Sequence, residues 1–148
     1  MEAAQAREEL VRRRISVSFA LAAAIAVAAT DVLYTFIVSG QSVFSEPRVR
    51  FEMMYIGVLA VAAILGAVAP WQRVRVTLLS FAIAGLFLDG LIAIFSVGAL
   101  LILAALLAAV ALREAVHDRP GRSFAIALPV GILSAALLLA GLALFPLY

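Results

Sequence analysis

From Val76 to Leu112 the chain carries one ionisable residue, Asp89, in thirty-seven positions. As a single helix this run would reach about 55 Å at 1.5 Å per residue, nearly twice the roughly 30 Å of bilayer hydrocarbon. It therefore predicts two membrane-crossing helices and a tight turn. A turn at Asp89-Gly90 has the right local chemistry, but it leaves Val76 to Leu88, roughly 20 Å, for the helix before it. A turn at Ser96-Val97-Gly98 gives that helix its full length and lets the next one extend into the polar REAV segment. On this reading Asp89 lies inside the third helix, in its outer half.

The rest of the chain repeats the theme. Hydrophobic residues make up 66% of it and charged residues 14%, with a mean hydropathy of +1.18, whereas soluble domains carry about 25% charged residues. The opening MEAAQAREELVRRR is a polar helix pattern in which Glu8 and Glu9 precede Arg12 and Arg13 by four residues, the favourable order on one helix face. It runs into an apolar stretch over 15–38. Basic residues before that stretch and small ones near Ala28 and Ala29 also fit a cleaved signal peptide, but the apolar character resumes after Asp31, so a retained span is expected. The polar interval 39–52 follows, with Gly40 suited to a helix end and Pro47 to the next start.

Further spans are expected at about 53–70, 76–95, 99–113 and 123–145, all within one domain. The fold class is thus all-α, a polytopic membrane bundle of five transmembrane helices. The arginines set its orientation. With five spans and the N-terminus inside, nine arginines are cytoplasmic, against Arg48 and Arg50 outside. With four spans the split is six against five. Only the first arrangement obeys the positive-inside rule, so the N-terminus is expected in the cytoplasm and the C-terminus outside.

All eleven basic residues are arginine, and there is no lysine and no cysteine. Schiff-base chemistry, disulfides, thiolate metal sites and cysteine nucleophiles are excluded. With one histidine, His117, bis-imidazole haem is excluded too, and no cofactor or metal is expected. His117 with Glu114 and Asp118 reads as a solvated loop rather than a metal site. A net charge of +2, with the arginines beside apolar runs, gives no reason to expect nucleic acid. Abundant Ala and Arg without Lys point to a GC-rich bacterial genome, hence to an inner membrane as the location and the lipid bilayer as the first partner.

One constellation has chemical promise. Counted along the helices, Asp31 lies about 25 Å beyond Arg14 and Asp89 about 21 Å beyond Arg75, a similar depth. Each shares a helix face with small residues, Ala20, Ala24, Ala28 and Thr35 for Asp31, and Ala82 and Gly85 for Asp89. The carboxylates are expected either to be neutralised by Arg48 or Arg50, or by hydrogen bonds to Tyr34 or Thr35, or else to approach each other and form a proton or cation site. Arg48 and Arg50 in the outer interval could also contact anionic headgroups. Phe44, Phe51, Tyr55 and Trp71 read as an interfacial aromatic belt, and Arg73 and Arg75 as side chains that snorkel to water.

Three functions follow in order. The first is a non-catalytic membrane protein acting through helix contacts, as an accessory subunit or a homo-oligomer, because the spans are poor in polar groups and rich in small ones. The second is a small cation- or proton-coupled transporter or channel using Asp31 and Asp89. The third is an intramembrane enzyme acting on a lipid, ranked last because few polar groups converge at one depth.

Overall fold

The computed structural model describes residues 2–40, 46–93, 97–116 and 120–145. They form five α-helices: α1 Glu2–Ser39, α2 Pro47–Val68, α3 Gln72–Ile92, α4 Gly98–Val116 and α5 Pro120–Leu144. All five contain a stretch long and apolar enough to cross a membrane, and no strand occurs among the described residues. The polar opening and the first apolar run are one continuous helix, as the four-residue spacing of Glu8 and Arg12 leads one to expect.

Local chemistry explains the ends. Proline opens α2, where its missing N–H has no helical partner to lose. The same helix stops at Val68 because Pro70 disfavours helical geometry at Ala69, which turns to φ −55° and ψ 127° while its N–H still bonds the Leu65 carbonyl at 2.9 Å. Trp71, in an extended conformation, starts α3. So short a link forces α2 and α3 to lie side by side in opposite directions.

Asp89 and Gly90 are helical, so the chain reverses only between Ile92 and Gly98. Ala93 caps α3 through its N–H to the Asp89 carbonyl at 2.8 Å, and the Gly98 N–H bonds the Ala93 carbonyl at 2.9 Å. The hairpin depends on two absent side chains. A Cβ on Gly90 would stand 2.9 Å from the Gly98 carbonyl oxygen, and one on Gly98 would collide with the Gly90 carbonyl. Ser96, the first residue of the expected turn, lies outside the described residues, as do Phe44, His117 and Asp118.

α3 sits at the centre of the packing, against α2, α4 and α5, while α1 packs on α4 and α2. α5 leans mainly on α3 and barely reaches α2. The core is built largely of alanine, including Ala20, Ala23, Ala24, Ala63, Ala82, Ala104 and Ala108, locked by Leu59, Leu79, Leu86, Leu101 and Leu138. Large apolar side chains such as Ile25, Phe36, Phe124 and Ile132 point outward. In lipid, moving a leucine from outside to inside gains little, so close backbone approach at small residues and a few polar bonds must hold the helices together.

Candidate functional site

Glu52 anchors the polar centre of the bundle. It stands in the second turn of α2, one turn after Arg48, and accepts from Arg48 Nε at 3.3 Å. Its other oxygen accepts a hydrogen bond from the Tyr34 hydroxyl of α1 at 2.9 Å. Both partners of the ion pair keep partial access to solvent, at 25% for Arg48 and 21% for Glu52. Asp89, on α3, is 5% exposed, and its Oδ2 is sealed from solvent with no hydrogen-bond partner. Glu52, Tyr34 and Tyr55 all lie within electrostatic reach of it. Three helices thus bring two acids and two phenols together, with one arginine at the outer edge. A carboxylate sealed in apolar surroundings without a partner is costly as an anion, so this arrangement favours taking up a positive charge.

A second set of bonds braces the site from behind. The Tyr55 hydroxyl stands 2.9 Å from both the carbonyl oxygen and the Oγ of Ser134, and Ser134 Oγ donates to the Phe81 carbonyl at 2.9 Å. This knot ties α2, α3 and α5 at one level, and Ser134 is fully buried. It exists because Gly85 has no side chain. A Cβ there would stand 2.5 Å from Leu59 Cδ2, 2.7 Å from Tyr55 Oη and 2.8 Å from Ser134 Oγ. Phe51 stacks with Tyr55 at 6.1 Å between ring centroids and lies across Gly141 of α5, where a Cβ would collide with the ring.

The expected site residues divide. Asp89 and Tyr34 are part of this centre. Asp31 is half-buried on α1, its Oδ1 shielded and without a partner, and no hydrogen bond links it to Asp89. Thr35 is half-buried and Arg50 exposed. Arg48 neutralises Glu52 rather than an aspartate. Both Arg48 and Arg50 occupy the first turn of α2, because that helix begins at Pro47 and takes in the end of the polar interval. No group of three metal-ligating side chains occurs among the described residues.

Two expectations are corrected. Tyr55 is not an interfacial belt residue: it is 7% exposed and bonded to Ser134. Arg75 does not snorkel to water: it is 9% exposed, with Nε and Nη2 buried and unpartnered. Trp71, by contrast, is 71% exposed beside it. Sequence reasoning missed Glu52, Tyr55 and Ser134. The spacing of Arg48 and Glu52, one helical turn apart behind Pro47, was the available signal for Glu52; nothing marked Ser134, because a serine in an apolar helix usually bonds its own backbone. Comparison with protein-family models, curated proteins and solved structures finds no match in any of the three.

Proposed function

We propose that the chain is a small transport protein of a bacterial inner membrane that admits a proton or a small monovalent cation past Glu52 and Tyr34 and takes it up at Asp89. The observation that carries this reading is the sealed, unpartnered Asp89 Oδ2 within electrostatic reach of a second carboxylate, Glu52, which itself keeps contact with solvent. A charge admitted at the Arg48–Glu52 edge has somewhere buried to go. Asp31, half-buried with an unpartnered oxygen of its own, is a second stop on α1 rather than half of a pair. The distribution of arginines supports an N-terminus in the cytoplasm and a C-terminus outside, which would place Glu52 toward the outer face and Asp89 one step inward.

The test is flux in proteoliposomes. Wild-type protein should dissipate an imposed proton or sodium gradient, and Asp89→Asn should fall to the rate of protein-free vesicles while keeping the wild-type helical spectrum and elution volume. Equal flux in the wild type and in Asp89→Asn would remove the proposal.

A second reading has its own observation. α5 is the least enclosed of the five helices and presents Phe124, Leu128, Ile132 and Leu133 outward, as a helix would that joins a partner subunit or a second copy of this chain. A defined larger complex after extraction in mild detergent, together with silent vesicles, would favour it. A lipid-modifying enzyme gains least, because Arg48 is already committed to Glu52.

A further inference from the structure

At the far end of α3 from Asp89, about 21 Å along the helix, Arg75 presents a different problem. Its guanidinium is charged under all ordinary conditions, yet the residue is 9% exposed and its Nε and Nη2 are closed off without a hydrogen-bond partner. Unpaired charge in such a place is strongly penalised. The charged neighbour within electrostatic reach is Arg13 of α1, of the same sign, and no ion pair to Arg75 forms among the described residues.

The backbone adds to the excess. Arg75 lies in the opening turns of a 21-residue helix that has no acid in its first turn and no side-chain cap from Trp71, so its leading N–H groups present the positive end of the helix dipole. Nearby polar side chains are already committed. The Ser16 hydroxyl donates to the Ala111 carbonyl at 2.7 Å, and Gln72 Nε2 to the Ala115 carbonyl at 3.2 Å. Arg75 therefore stands in the opening turns of an uncapped helix, within electrostatic reach of a second guanidinium, and forms no ion pair with a carboxylate among the described residues.

We propose that Arg75 and Arg13, with the N-terminus of α3, hold a phosphate group. The planar fork of a guanidinium matches two phosphate oxygens at once, and helix N-termini bind such groups through the backbone. The depth suits a phospholipid headgroup, because exposed Trp71 next to the site is the residue type that settles at the hydrocarbon boundary; a free phosphate ion carries the same chemistry. This site is separate from Asp89 and does not depend on transport.

The full-length protein, stripped of lipid in a neutral detergent, would be titrated with three probes: phosphatidylglycerol in mixed micelles, diacylglycerol with the same chains, and inorganic phosphate. Thermal unfolding and native mass spectrometry would be the readouts. Phosphatidylglycerol should bind and raise the unfolding temperature, and diacylglycerol should not. Arg75→Met should weaken phosphatidylglycerol binding at least about tenfold, equivalent to about 1.4 kcal/mol, and Arg13→Gln should weaken it in the same direction. A matching response to inorganic phosphate assigns the site to the free ion, and a response to the lipid alone assigns it to the headgroup. If Arg75→Met does not fold, Arg13→Gln, whose side chain is exposed in the wild type, carries the comparison. Equal responses to both lipids, or undiminished affinity in the variants that fold, overturn the proposal.

Discussion

The hydroxyl of Tyr55 reaches across the bundle to α5, and Ser134 passes the connection on to the backbone of α3. Tyr55→Phe keeps the ring stacked on Phe51 but leaves the Ser134 groups with one partner fewer, so it should cost about 1–2 kcal/mol. The SDS mole fraction needed to unfold the protein measures that loss. Ser134→Ala should cost about as much, since it removes the bond to the Phe81 carbonyl while the Tyr55 hydroxyl keeps the backbone carbonyl at position 134. Asp89 was legible from sequence because nothing else in its run can ionise. Its neighbours were not: Glu52 belonged to a stretch whose polarity concealed a helix start, and a tyrosine near a span end reads the same whether it faces lipid or core until its helix face is known. Arg75 illustrates the opposite error. A long basic side chain one turn inside a span normally reaches water, but here Arg75 is almost wholly enclosed within the bundle.

The helices themselves were largely legible, because apolar length is a strong signal and arginine clusters mark the gaps between them. What sequence could not supply was which face of each helix meets which neighbour, and that information resides in glycine. Gly85→Val should be severely destabilising, since even a first carbon meets Leu59, Tyr55 and Ser134 together; the overpacking cost is about 1–3 kcal/mol or more, with the added loss of the hydrogen-bonded knot. Gly57, by contrast, has open space where a side chain would project, so Gly57→Ala should leave the unfolding point unchanged or raise it slightly, as alanine favours a helix over glycine. Measuring both in one denaturation series tests whether the α2–α3–α5 contact is as tight as described. If Gly85→Val unfolds at the wild-type point, that packing is wrong.

At the scale of the molecule, the contacts pair the end of α1 with the start of α2, and Ser16, partway along α1, with the end of α4. Because the chain has no cysteine, single cysteines at Glu8 and Phe145 can be labelled against no background. If the proposed orientation holds, a membrane-impermeant maleimide added to intact spheroplasts should label Phe145→Cys and leave Glu8→Cys unmodified until the membrane is opened. Labelling of both from outside, or of neither, would contradict it. Charge counting was enough to frame that prediction from sequence, since it needs only the arginines and the number of crossings. The acidic centre needed the fold, because its members come from α1, α2 and α3.

The knot at Ser134 also has a bearing on how the protein is made. α5 leaves the ribosome after α2 and α3, so during synthesis the Tyr55 hydroxyl waits in the nascent bundle for a partner that does not yet exist. A chain that stalls before α5 would present this unanswered hydroxyl, and Phe51 without Gly141 beneath it, as a local flaw that a quality-control protease can recognise.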